Sequence, residues 1–301
     1  MKLDRWLARV GCFFLALALL LGVSARAADP LPQGKGVIEI DLDGTKLEVF
    51  TYKPKDWTAE RMIMVLHGVL RNADEYRDHS IGMGDRLQAL IVAPRFDEKR
   101  FPSVRYQRGG ILREDGSVAK AEERTYALIP KLAAALRQRE ERPQMRYWII
   151  GHSAGGQFTM RMSAFLECGA ERLVAANPGS ALFPTRDLPF GYGFGGLPEE
   201  LADDNVLQKY LAAPLTLYLG TADDKPDEHF DRSAEAMKQG PGRRQRNLAA
   251  YAAAQKLAAE RGWKFAWRLV EADGVGHDHE KMFDHPQCET ALFGEKASTQ
   301  K

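Results

Sequence analysis

Ser153 lies in the run Gly151-His152-Ser153-Ala154-Gly155-Gly156, with a glycine two positions away on either side. A serine hydroxyl is a weak nucleophile until a histidine takes its proton, and that histidine needs a carboxylate to fix its tautomer. Two later stretches offer both groups: Gly220-Thr221-Ala222-Asp223-Asp224 and Asp273-Gly274-Val275-Gly276-His277. Serine, acid and histidine therefore occur in that chain order, each just after an apolar run. The chemistry implied is attack on a carbonyl carbon by Ser153, with His277 as base and Asp223 as the acid that orients it. An acyl-enzyme would form and be released by water, with no cofactor. Asp224 and Asp227 are the alternatives to Asp223, and His279 is the alternative to His277.

A tetrahedral intermediate also needs backbone N–H groups aimed at its oxygen. Ala154, directly after the nucleophile, is expected to give one. The loop after Leu66-His67-Gly68 is expected to give the other, from Val69 or else Leu70, with His67 shaping that loop. Tyr76, beyond Arg71 and Asn72, is a candidate substrate contact, and so are Phe183 and Tyr192 in the Gly- and aromatic-rich stretch 177–213.

For these groups to meet, short strands must carry them to one edge of a sheet. The unbroken apolar character of Arg61–Leu66 and Leu90–Pro94 predicts strands buried on both faces, as in a parallel sheet. Arg146–Ile150, Arg172–Ala176, Leu215–Leu219 and Phe265–Val270 are read the same way. Asp43-Gly44 between Val37–Leu42 and Lys46–Tyr52 is a hairpin signal, so the sheet is expected to open with an antiparallel pair. Helical spacing covers Ala119–Arg139, Gln157–Leu166 and Leu248–Arg261. The fold class expected is α/β: a mostly parallel eight-stranded sheet flanked by helices, with an irregular insertion at 177–213.

The serine, between a strand and a helix, would occupy a sharp turn in strained backbone, where side chains two positions away have to be absent. That placement separates it from an ordinary glycine-rich turn. His152 is read as a neighbour rather than a participant.

Composition removes several other classes. Lys and Arg number 42 against 41 Asp and Glu, a balance that offers no electrostatic footprint for nucleic acid. Three cysteines, one of them Cys12 near the start, cannot build a disulfide scaffold, although Cys168 and Cys288 could pair in an oxidising compartment. His277, Asp278, His279 and His285 do not follow a recognised metal spacing, so no metal is expected. The basic run Arg243, Arg244 and Arg246 is read as a solvated face, with anion binding the alternative.

Residues 1–27 read as a secretory leader. Lys2, Arg5 and Arg9 precede an apolar run at 11–23 that is shorter than the ~18 residues a membrane span requires, and Ala25-Arg26-Ala27 fits a cleavage site. A periplasmic or secreted chain without a membrane span is the expectation, with 28–301 forming one catalytic domain.

These motifs together resemble the α/β-hydrolase fold enzymes over nearly the whole of 28–301. The nearest similarity is to bacterial secreted esterases related to poly(3-hydroxybutyrate) depolymerases and feruloyl esterases. It rests on Leu66-His67-Gly68, Gly151–Gly155, Gly220-Thr221-Ala222-Asp223 and Gly276-His277. The resemblance implies a serine hydrolase acting on small or oligomeric carboxylic esters. The same three residues would also serve a peptidase or amidase, and a non-catalytic binding protein could keep the fold.

Overall fold

A computed structural model describes residues 29–295; the leader expected over 1–27 lies outside them. Eight strands form one sheet: β1 (Gly34–Leu42), β2 (Thr45–Lys53), β3 (Arg61–Leu66), β4 (Leu90–Pro94), β5 (Arg146–His152), β6 (Leu173–Ala176), β7 (Leu215–Gly220) and β8 (Arg268–Ala272). Their spatial order is β1-β2-β4-β3-β5-β6-β7-β8. The first two strands pair antiparallel through the Asp43-Gly44 turn, and β2 also runs antiparallel to β4. Every later pairing is parallel. The eight-stranded, mostly parallel sheet expected from the sequence is the sheet observed.

The helices are α1 (Ala73–Asp78), α2 (Ile81–Leu87), α3 (Leu128–Arg139), α4 (Ala154–Phe165), α5 (Asp204–Ala212), α6 (Ala234–Gln239), α7 (Arg243–Arg261), α8 (His279–Asp284) and α9 (Gln287–Phe293). Two apolar layers hold them on the sheet. Met62, Met64 and Leu66 of β3 join one layer, with α3, α4, α5 and α7. Ile63 and Val65 join the other, with α1, α2, α8 and α9. Period-two alternation delivers an apolar side chain to each face in turn, which is why the run from Met62 to Leu66 has no polar member.

The structure departs from the sequence reading in several places. The stretch 119–139 is not one helix: 3₁₀ turns at Ala121–Glu123 and Thr125–Ala127 precede α3, and Pro130 sits in the first turn of α3, where a missing N–H costs nothing. The insertion 177–213 is not irregular throughout. It ends in α5, capped by the Asp203 carboxylate accepting from the Val206 N–H at 2.8 Å. The last strand begins at Arg268, which pairs with Thr216 of β7; just before it the Ala266 N–H bonds the Leu211 carbonyl of α5, and Phe265 and Trp267 pack against Tyr251 and Tyr210. Cys168 and Cys288 are free thiols buried in the two different layers, so the sheet separates them.

The basic run is not solvated either. It opens α7, and Arg243 and Arg246 are buried. Arg246 donates to the carbonyl oxygens of Gly240, Gly179 and Asp231, and its guanidinium lies 4.3 Å from the centroid of Phe230. A buried guanidinium is tolerated when its donors are used in this way.

Candidate active site

β5 ends at His152 and α4 begins at Ala154, which leaves Ser153 to turn the chain. Its backbone takes φ 56° and ψ −113°, a conformation that costs on the order of 1–3 kcal/mol for a residue with a side chain. The glycines of the motif have a steric cause. A Cβ on Gly151 would overlap the Gly155 backbone, and one on Gly155 would overlap the Leu66 carbonyl of the neighbouring strand. The turn sets Ser153, partly exposed, at the N-terminus of a helix, where the peptide dipoles favour developing negative charge.

Asp223 stands three residues past the end of β7 and His277 five past the end of β8. The structure brings both to Ser153. The His277 Nε2 lies 3.0 Å from the serine Oγ, and its Nδ1 lies 2.9 Å from the Asp223 Oδ2. A carboxylate only accepts, so the proton sits on Nδ1 and Nε2 is free to accept the serine proton. Asp224 is exposed and Asp227 is engaged by Arg243 at 2.6 Å, which leaves Asp223 as the carboxylate at His277. The His277 side chain keeps 18% exposure while that of Asp223 keeps 1%, so the line runs from solvent inward.

Three further residues surround this line, among them His152, which is the neighbour the sequence suggested. Arg243 lies 3.5 Å from the free Oδ1 of Asp223 and pairs with Asp227, placing one buried cation behind two carboxylates. Burial works against ionising Asp227, but the Arg243 hydrogen bond and charge outweigh it and hold that carboxyl below its ordinary value.

His152 is the second. Its Nδ1 lies 3.2 Å from the Tyr76 hydroxyl, and its ring centroid is 4.7 Å from that of His277. Burial, followed by the neighbouring His277, His279 and Arg243, pushes the His152 pKa well below the usual imidazole range, so it packs beneath His277 as a neutral ring.

Asn177 is the third, at the C-terminal end of β6. Its Oδ1 accepts from the Gly220 N–H at 2.8 Å, and its Nδ2 donates to the Gly276 carbonyl at 3.0 Å. One side chain thus ties the loop bearing Asp223 to the loop bearing His277. A polar residue ending the otherwise apolar run Leu173–Ala176, at the rim that carries Ser153, was the available signal. Asn177→Ala is expected to lower kcat by about 10²-fold with little change in KM, because a shift of roughly 1 Å in a reacting group carries that penalty. Steady-state kinetics on an ester substrate checks this, and a rise in KM alone would assign Asn177 to binding instead.

The remaining site residues are placed as follows. A Cβ built on Gly68 would come within 3.8 Å of the Ser153 Cβ, so the loop continuing to Val69 runs beside the nucleophile, as Ala154 does from the other side. His67 is fully buried. Its Nε2 accepts from the Phe96 N–H at 3.0 Å and its Nδ1 bonds the Gly68 carbonyl at 2.9 Å; burial first, with Arg71 and Arg95 nearby, lowers its pKa to about 3. Tyr76 departs from its expected place at a substrate wall, since it is 3% exposed and stacks on His279 beneath the site. Tyr192 departs likewise: its hydroxyl donates to Asp231 at 2.7 Å and the ring is buried. Phe183 is partly buried and packs against the first apolar layer. Of the histidines weighed for metal, His277 faces Asp223, His279 faces His79, and His285 accepts from the Gln287 N–H at 3.2 Å. They point apart.

Comparison with known proteins bears on the fold and the enzyme class. No family model and no curated protein sequence matches the chain. Among solved structures, it is 35% identical to poly(aspartic acid) hydrolase-1 from Sphingomonas sp. KT-1, covering 84% of this chain and 96% of that one at a TM-score of 0.78. It is 33% identical to a poly(3-hydroxybutyrate) depolymerase from Bordetella parapertussis, covering 86% and 90% at a TM-score of 0.77. An S-formylglutathione hydrolase from Agrobacterium tumefaciens shares the fold at 17% identity, with 83% and 90% covered and a TM-score of 0.53.

Proposed function

The chain belongs to the serine hydrolases of the α/β-hydrolase fold, and from that premise we propose that it cleaves carboxylic esters with Ser153 as nucleophile, His277 as general base and Asp223 as the orienting acid. The observation that carries this reading is the hydrogen-bonded line from the Ser153 Oγ through His277 to Asp223, at 3.0 and 2.9 Å. The Ser153 Oγ attacks the ester carbonyl carbon as its proton passes to the His277 Nε2. The carbonyl oxygen, now negative, takes hydrogen bonds from the Val69 and Ala154 N–H groups, where loss of one such donor costs about 10²–10³ in kcat. His277 returns the proton to the departing alkoxide oxygen, leaving Ser153 acylated. Water then gives a proton to His277 and attacks the acyl carbon, and the acid leaves as Ser153 regains its proton. Asp223 stabilises the imidazolium formed in each half.

The substrate reading follows from the two relatives above 30% identity, whose names point to a polyamide and a polyester. We place this chain with esters, small or oligomeric, on a site whose nucleophile and base both keep contact with solvent. Phe183 is the ring of the 177–213 insertion assigned to touch the substrate. The amide reading is favoured by the poly(aspartic acid) hydrolase match alone. Residues 28–301 act as one catalytic domain in this account, exported by the leader at 1–27 to the periplasm or medium. Among the described residues no helix is long and apolar enough to cross a membrane.

Turnover of p-nitrophenyl esters and a 3-hydroxybutyrate oligomer, measured beside peptide anilides and poly(aspartic acid), separates the readings. Ester turnover is expected to exceed amide turnover by about 10²-fold or more, given that the leaving alkoxide needs less help than an amine. The reverse ranking selects the amidase.

A further inference from the structure

His279, the weighed alternative to His277, is turned away from Ser153 and engaged elsewhere. It opens α8, and its Nε2 lies 2.9 Å from the Nδ1 of His79, which caps α1 two hundred residues earlier in the chain. The Oε1 of Glu75, one turn back on α1, lies 3.8 Å from the same Nε2. Ligand atoms of Glu75, His79 and His279 all lie within 4.8 Å of one another.

We propose that Glu75, His79 and His279 form a binding site for a divalent late first-row transition metal, with Zn²⁺ as the reference ion. Two imidazoles and a carboxylate are a donor set that zinc takes readily, whereas Mg²⁺ and Ca²⁺ require oxygen donors. With metal–ligand bonds of about 2.0–2.2 Å at a tetrahedral angle, donor atoms sit roughly 3.3 Å apart. Two of the three separations, 2.9 and 3.8 Å, lie either side of that spacing and the third is within 4.8 Å, so side-chain movements of about an ångström suffice.

The surroundings orient the donors. The Asn72 Nδ2 donates to the Glu75 Oε2 at 2.6 Å, which leaves Oε1 to the site. Tyr76 stacks on the His279 ring at 3.9 Å and 3°, fixing its plane. The Glu280 carboxylate lies 3.9 Å from the His79 Nε2, the nitrogen that would face away from the ion.

The proton inventory closes. One N–H bridges the two rings before the ion enters. On binding, that proton moves to the other nitrogen of its own ring, and both facing nitrogens then coordinate without net proton release. The fourth position is left to water. Bound metal would clamp α1 to α8, the helix that follows His277 directly, and the site is distinct from Ser153 and Asp223.

Isothermal titration of the untagged, metal-stripped chain with ZnCl₂, and separately with MgCl₂, tests the proposal. About one Zn²⁺ per chain is expected, with no binding of Mg²⁺. His79→Ala and Glu75→Gln should each weaken zinc at least about tenfold, while His277→Ala binds as the parent does. Glu75 is exposed, so Glu75→Gln supplies a folded variant even if His79→Ala is destabilised. Zinc affinity unchanged in both site variants would overturn the proposal. So would loss of binding in His277→Ala alone, or no binding by the parent chain.

Discussion

Ser153→Ala is expected to lower kcat on a carboxylic ester by roughly 10⁴–10⁶-fold. The size follows from what the substitution removes: no covalent intermediate can form, and His277 loses the hydroxyl it serves at 3.0 Å. The proposed oxyanion donors, the Val69 and Ala154 N–H groups, survive the change, so a small rate above that of water is expected to remain. Ser153 keeps positive φ with either side chain, so the strain of the turn is the same and the melting temperature should move little. Active-site loss without unfolding is the result to seek, by kinetics and thermal melting on one preparation. Parent-level turnover by this variant would remove Ser153 from the reaction.

Asp223→Asn comes second, with an expected fall in kcat of about 10⁴-fold. The shape of the site persists, but an amide can present N–H to the His277 Nδ1. That turns the imidazole to the tautomer whose Nε2 already holds a proton, so it cannot accept one from Ser153. Asp224→Asn is the matched control. Asp224 is exposed in the same loop, and its charge faces solvent, so activity should stay within a few-fold of the parent. Equal losses in the two variants would mean that the charge of the loop matters and the hydrogen bond at 2.9 Å does not.

The contrast between Asp223 and Asp224 also shows what the sequence could and could not convey. Apolar strands have a local signature, so β3 and β4 were legible to the residue, and motifs at strand ends indicated which side chains would share the sheet rim. Two adjacent aspartates have the same chemistry and nearly the same reach. Their tertiary placement separates their roles: Asp223 is buried between His277 and Arg243, whereas Asp224 faces solvent. Arg243, Arg244 and Arg246 looked like a charged surface because the carbonyls that satisfy Arg246 come from loops as distant in sequence as Gly179. The contacts of Asn177 and His152 were obscure for a similar reason. Each residue acts through partners on other elements, at separations in sequence where no periodicity operates. Tyr76 and Tyr192 were misplaced because aromatic rings near a site can form its floor as readily as its wall, and burial decides between them.

The most direct test of the central claim is covalent capture of the nucleophile. The chain from residue 28 onward, treated with a fluorophosphonate and digested for mass spectrometry, is predicted to carry one adduct, on the peptide containing Ser153. The same treatment of His277→Ala should give almost none, because the base that activates the hydroxyl is gone. Absence of an adduct on the parent chain, or labelling of a different serine with Ser153 untouched, would contradict the account.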